Sequence, residues 1–259
     1  MKKLYVALLF AILAITGNAQ NAWTGLTGLS GGKVTDIQND GTKIFAYASD
    51  LQTIYRSTND GGSWAQFSPL GLPVLGMLVE TNKVYAIEQT GIQSYNLNTT
   101  VNDGGTWQKQ NTSSVMRGNH LFRMATGELI AWGDFDGVYI SFDNGVNWTK
   151  FYTPSVGPYE RIFSVVANSS GDIFVSSDLG GVSKHLHAAQ GQWLSTNFVN
   201  LRAPITGNVQ NMGLAVDNSN KLYFIEYFYD LSSVVHNNLF ESNDQGASWT
   251  NITTNSPPH

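Results

Sequence analysis

One eight-residue turn recurs along this chain and fixes most of what it can fold into. Ser141-Phe142-Asp143-Asn144-Gly145-Val146-Asn147-Trp148 returns as Ser242-Asn243-Asp244-Gln245-Gly246-Ala247-Ser248-Trp249, with Ser, Asp, Gly and Trp at the same offsets. Residues 57–64 and 100–107 are looser copies, in which Asn59 and Asn102 take the Asp place beside Ser57, Gly61 and Trp64 in the first and Gly104 and Trp107 in the second. Trp193 follows a degraded copy. The composition of the turn has a physical logic. Gly reaches positive φ without a Cβ clash. Short Ser, Asp and Asn side chains bond nearby backbone and hold such a turn closed. The Trp then carries apolar surface into the next strand, with an indole N–H that seeks a partner.

A second repeat runs beside the first. Lys43-Ile44-Phe45-Ala46, Lys83-Val84-Tyr85-Ala86, Glu128-Leu129-Ile130-Ala131, Asp172-Ile173-Phe174-Val175 and Lys221-Leu222-Tyr223-Phe224 are five versions of one strand. Each has a charged first residue followed by aliphatic or aromatic residues. A third strand is expected after each, at Thr53-Ile54-Tyr55-Arg56, Gly91-Ile92-Gln93, Gly137-Val138-Tyr139-Ile140, Gly181-Val182-Ser183 and Asn238-Leu239-Phe240-Glu241. The Trp-led strand is the fourth. Successive tryptophans at 64, 107, 148, 193 and 249 stand 43, 41, 45 and 56 residues apart.

Units of this length with four short strands each read as propeller blades, which bury their faces only by stacking around an axis. The expected fold is therefore all-β: a β-propeller of four-stranded antiparallel blades, five of them recognisable, at about 30–70, 71–112, 113–153, 154–198 and 199–255. Trp23 stands 41 residues before Trp64, like the lead of a fourth strand with no blade of its own. Either five blades close with a spare N-terminal segment, or the ring is an incomplete one of six or seven blades.

Residues 1–19 read as a signal peptide. Lys2 and Lys3 precede an apolar run over 4–15, and Gly17-Asn18-Ala19 offers small residues for cleavage after Ala19. The remainder, 20–259, is expected to be one exported propeller domain, secreted or periplasmic. The apolar run is too short to span a membrane. The net charge of −5 argues against nucleic acid and anionic membrane surfaces as partners. The chain has no Cys, which removes disulfides and thiolate chemistry.

The turns resemble the Asp-box, or bacterial neuraminidase, repeat Ser-x-Asp-x-Gly-x-Thr-Trp of sialidases, xyloglucanases, sortilin-type receptors and photosystem II assembly-factor-like proteins. The resemblance covers nearly all of the chain after the leader. It implies a propeller in which the box is a structural hairpin on the face opposite most binding sites. Fold does not fix function. A sialidase would use three arginines, a Tyr–Glu pair and an Asp. No Arg precedes Arg56 here, so the family's Arg-Ile-Pro near the first blade is absent.

Candidate binding residues belong to the other face, formed by the loops between second and third strands and between blades. Asp50, Glu88, Asp134, Asp136, Asp178 and Asp230 map there. Arg117 and Arg161 stand at equivalent positions, 11 residues before their second strands, where the innermost strand begins. Arg202 lies in the next inter-blade loop, and Tyr159-Glu160 precede Arg161. Guanidinium forks suit carboxylates. Two arginines at one mouth repel unless an anion accompanies them, either a ligand or the loop acids. Asp134 and Asp136 could stand as a catalytic carboxylate pair, but acids in a Gly-rich loop are ordinarily turn chemistry. His185-x-His187 lacks a third ligand at matching spacing, so no metal is expected. No cofactor is expected either. Tyr227, Phe228 and Tyr229 enter the longest insertion and could meet a sugar or a partner. The expectation is an exported, monomeric, non-enzymatic propeller that binds a protein or glycan through its loop face. The alternative is a glycoside hydrolase with its active site on that face.

Overall fold

The computed structural model describes residues 33–67, 73–92, 94–110, 117–152, 161–177, 181–187, 198–200, 208–229 and 235–253. They hold twenty strands in five antiparallel sheets of four. Blade 1 contains β1 (Val34–Asn39), β2 (Ile44–Ala48), β3 (Thr53–Ser57) and β4 (Ala65–Gln66). Blade 2 contains β5 (Val74–Glu80), β6 (Lys83–Gly91), β7 (Ser94–Thr100) and β8 (Gln108–Lys109). Blade 3 contains β9 (His120–Arg123), β10 (Leu129–Gly133), β11 (Gly137–Ser141) and β12 (Thr149–Tyr152). Blade 4 contains β13 (Ile162–Ala167), β14 (Ile173–Ser177), β15 (Gly181–His185) and β16 (Phe198–Asn200). Blade 5 contains β17 (Asn208–Val216), β18 (Leu222–Tyr229), β19 (Val235–Ser242) and β20 (Thr250–Asn251). No helix occurs among the described residues, and so none crosses a membrane.

Each sheet pairs only strands that follow one another in sequence. The second strand is sandwiched between neighbouring blades, so β10 and β14 are buried on both faces. This is why these strands read as continuous apolar runs instead of alternating ones. The core is a series of layers between blades. Phe45 and Tyr47 of blade 1 pack on Val74 and Met77 of blade 2. Ile130 and Trp132 of blade 3 pack on Ile162 and Val165 of blade 4. Polar bridges reinforce the layers: the Tyr47 hydroxyl donates to the Val74 carbonyl at 2.6 Å, and Gln38 Oε1 accepts from the Val79 amide at 2.8 Å.

The repeated turn closes in the same way at all four copies. The Ser141 hydroxyl donates to Asp143 Oδ1 (2.9 Å) and accepts from the Gly145 amide (2.8 Å), while Asp143 Oδ1 also accepts from the Asn147 amide (2.8 Å). Ser242 with Asp244 and Gly246, Ser57 with Asn59 and Gly61, and Thr100 with Asn102 and Gly104 repeat this pattern. The fourth and fifth residues sit in the left-handed region, as at Asn144 (φ 60°) and Gly145 (φ 92°), which is why Gly and small polar residues occupy them. Bonds from the Ser248 side chain and amide, and from Ser242, hold the Asp244 carboxyl down at about 2. The expected indole partner is present only in part. Trp148 and Trp64 donate to the Gly145 and Gly61 carbonyls at 3.0 and 3.1 Å, whereas the buried Nε1 atoms of Trp107 and Trp249 have no partner.

Two strand expectations need correction. In blade 2 the third strand is β7, Ser94–Thr100, and Gly91 ends β6. Apolar Ile92 drew the strand reading, yet it projects from the turn at 96% exposure. In blade 5, Tyr227 to Tyr229 do not leave the sheet: β18 stays paired with β17 and β19 as far as Tyr229.

Candidate functional site at the loop-face mouth

The first-to-second-strand turns and the boxes share one face. The Asp103 carboxylate of a box meets Lys43 of the preceding blade's turn at 2.6 Å, and Lys184 donates to Gln245 of the next box at 2.6 Å. The second-to-third-strand loops lie on the other face. There, the first strands of blades 1 to 4 surround a cavity of about 810 Å³. Its lining is polar, with Asp36, Gln38, Asn119, His120, Asp134 and Arg161 among its residues.

Four residues converge at this mouth. His120 opens β9 directly opposite Trp132 in β10, and the two rings stack at 3.7 Å and 11°. Asp134 follows β10. Its Oδ2 accepts from Arg161 Nη2 at 3.1 Å, and its Oδ1 lies 3.7 Å from His120 Nε2. The loop is anchored to blade 4 by the Ile162 amide, which donates to the Asp134 carbonyl at 2.7 Å. The nearby His120 ring, then the Arg161 charge working against burial, hold the Asp134 carboxyl below its ordinary range. Such a group is a poor general acid. Beside it, Arg117 Nη1 lies 3.7 Å from Asp136 Oδ1. Burial, followed by the Asp136 charge, raises the Tyr139 phenol to about 12.

Arg117 and Arg161 therefore reach the same blade 3 loop, and each meets its own carboxylate. They are not a bare cationic pair. Asp50 also lies on this face, where its Oδ1 accepts the Lys33 and Leu51 amides at 2.6 and 3.1 Å. Glu88 does not join the surface acids. Lengthening of β6 draws it into the sheet, where it is buried and accepts from Asn98 Nδ2 at 2.9 Å. Arg202, Asp178, Tyr159, Glu160, Asp230, Trp193 and Trp23 lie outside the described residues.

His185 is buried against the rings of Phe151 and Tyr152, while His187 sits on the box face 3.2 Å from Glu128. No group of three His, Cys, Asp or Glu suited to a metal forms among the described residues.

The sequence reading missed His120 and Trp132. Their only signal is that they oppose one another across two strands, and the start of β9 has no pattern that would reveal the register. It also missed Leu51, Ile92 and Phe135. These exposed apolar side chains occupy the tips of the second-to-third-strand loops in blades 1, 2 and 3.

No family model matches the sequence, and no curated protein matches it. Solved structures do resemble it. The Niastella koreensis GH74 enzyme superposes with a TM-score of 0.58 at 16% identity, covering 86% of this chain, which spans 37% of the enzyme's length. YCF48 bound to D1 peptide gives 0.54 at 14% identity, covering 86% of this chain and 82% of that one. A chain of the nidogen/laminin complex gives 0.55 at 10% identity, covering 84% of this chain and 78% of that one. At these identities the likeness is one of fold, and with five four-stranded antiparallel sheets it makes this chain a β-propeller.

Proposed function

We propose that this chain is an exported, non-enzymatic propeller of the Asp-box type that binds a polypeptide partner through its loop face. One observation carries the reading: the face on which the polar mouth opens also carries three exposed apolar side chains, Leu51, Ile92 and Phe135, on its loop tips. Exposed apolar side chains on neighbouring loop tips mark a surface that another protein can cover, and the polar cavity on the same face can take a polar side chain of that partner. Two of the similar structures are of propellers in complexes with polypeptides, YCF48 with D1 peptide and nidogen with laminin. The boxes are hairpin locks on the other face, and the basic-then-apolar leader over residues 1–19 supports export.

A second reading has its own support. Asp36 and Asp134 line one cavity, as two carboxylates of a glycoside hydrolase would, and one similar structure is a GH74 enzyme. Against it stand the lowered pKa of the Asp134 carboxyl and its ion pair with Arg161.

The test uses the chain against a displayed random-peptide library, a glycan array and a panel of fluorogenic glycosides. Peptide ligands are expected. Their binding should be lost in Phe135→Asp and in Arg117→Ala/Arg161→Ala, with melting within about 1 kcal/mol per exposed ion pair of the parent. Turnover of any glycoside, or glycan binding that survives Phe135→Asp, would overturn the proposal.

A further inference from the structure

Two groups in the cavity wall have bonding capacity to spare, and together they describe what would enter. The first is the His120 ring. Trp132 covers one of its faces at 3.7 Å, and the side chain remains 45% exposed where it lines the cavity. Trp132 is itself buried, which gives the stack a firm base. The second is the Asp36 carboxylate. Gln38 is bound to the Met77 carbonyl and the Val79 amide of blade 2, and its Nε2 also donates to Asp36 Oδ2 at 2.7 Å. Among the described residues, nothing donates to Asp36 Oδ1. The cavity therefore presents an aromatic face and a positioned acceptor.

Charge decides against an ionic anchor. Apart from His120, Lys33 and Arg161 balance Asp36 and Asp134 in the wall. Arg161 is already committed, to Asp134 at 3.1 Å and to the Phe163 ring, whose centroid lies 4.9 Å from its Cζ. A charged side chain from a partner would give up its hydration for walls with no net opposite charge. A neutral ring gives up less and gains the open face of His120. A ring without a donor would still strip water from Asp36 Oδ1 and leave that acceptor unpaired. A ring that ends in a hydroxyl satisfies both groups. The cavity, at about 810 Å³, has the size of a small-ligand site and admits such a side chain with the backbone that carries it.

We infer that the cavity is an anchor pocket for a tyrosine side chain of the polypeptide partner, with its ring against His120 and its hydroxyl donating to Asp36, an assignment that rests on the polypeptide reading above. His120 and Asp36 then select the anchor, one by shape and one by hydrogen bonding. Asp134 and Arg161 keep the pocket electrically balanced and so exclude acidic and basic anchors.

Two probes test it: peptides recovered from the random library on the parent chain, and N-acetyltyrosinamide titrated against the His120 ring signals in NMR, with N-acetylargininamide as control. The recovered peptides should share a tyrosine. Replacing it with phenylalanine should weaken binding about tenfold on the parent and not at all on Asp36→Ala. Replacing it with alanine should cost about threefold to tenfold more on the parent than on His120→Ala. His120→Phe, which keeps a ring over Trp132, should retain the preference and so separates lost stacking from lost folding. The tyrosine amide should shift the His120 signals saturably, and the arginine amide should not. Peptides that depend on a charged residue instead, or a phenylalanine penalty that persists in Asp36→Ala, would overturn the anchor and leave the polypeptide reading standing. If no peptide is recovered while the tyrosine amide still shifts His120, the polypeptide reading falls and the aromatic pocket stands. If neither probe binds, both are overturned.

Discussion

Acid should weaken this propeller in a window set by one histidine. His185 lies at the end of β15 with its ring edge-on to Phe151 (5.3 Å, 82°) and Tyr152 (5.6 Å, 88°) of blade 3. Burial disfavours the imidazolium and lowers its pKa from 6.5 to about 4. The unfolded chain therefore binds a proton on this side chain before the folded one does. Its contribution is undiminished above the unfolded value, is lost as pH falls from about 6.5 toward 4, and changes no further below that. A difference of about 2.5 pKa units corresponds to about 3 kcal/mol. That is a large share of the ~5–15 kcal/mol that holds a domain together. Near the middle of the window the slope approaches about 1 kcal/mol per pH unit. Urea unfolding followed by tryptophan fluorescence between about pH 7.5 and 4.5 would measure it, with His185→Gln as the comparison. The variant should be less stable at neutral pH through lost packing but nearly flat across the window. A variant that loses stability as steeply as the parent would refute the reasoning and move the titration to other groups.

Three further expectations concern packing. Trp148→Ala should cost about 3–5 kcal/mol through the cavity it leaves. Trp148→Phe should cost about 1 kcal/mol more than Trp107→Phe, because only Trp148 donates its indole N–H; equal losses in urea melts would show that this bond adds nothing. Gly76 brings β5 against β9 so closely that a Cβ there would lie 2.2 Å from the Asn119 carbonyl oxygen. Gly76→Ala should therefore cost about 1–3 kcal/mol and disturb the cavity mouth, whereas Gly41→Ala on the exposed first turn, strained by its φ of 91° but with open space around it, should leave ligand binding intact. Unchanged melting of Gly76→Ala would show that the two blades part freely.

What could be read in advance follows from how local each signal is. The boxes were legible because the bonds that close each turn span no more than four residues, from Ser141 to Gly145 and from Asp143 to Asn147. The second strands were legible because burial on both faces requires an unbroken apolar run. The third strand of blade 2 was not, because Ser94-Tyr95-Asn96-Leu97-Asn98 is mostly polar, and its burial comes from neighbours far away in sequence. The mouth was half legible. Charge type and repeat offset placed Arg117, Arg161, Asp134 and Asp136 on one face. Which Arg meets which Asp depends on loop geometry, and the His120–Trp132 stack depends on strand register. Neither leaves a mark on single residues.

The box has a consequence for how the chain acquires its shape. Each copy can close using only its own eight residues, and each sheet uses only strands adjacent in sequence. Most early steps thus join residues that are already close along the chain, which shortens the search that makes many all-β proteins slow to fold. A chain that emerges end first, from a ribosome or a translocation pore, can lock each hairpin as it appears. Layering then needs only the blade that arrived before. Such a molecule would assemble from its N-terminal end in increments of one blade, and its last-made sheet would be the last to find cover.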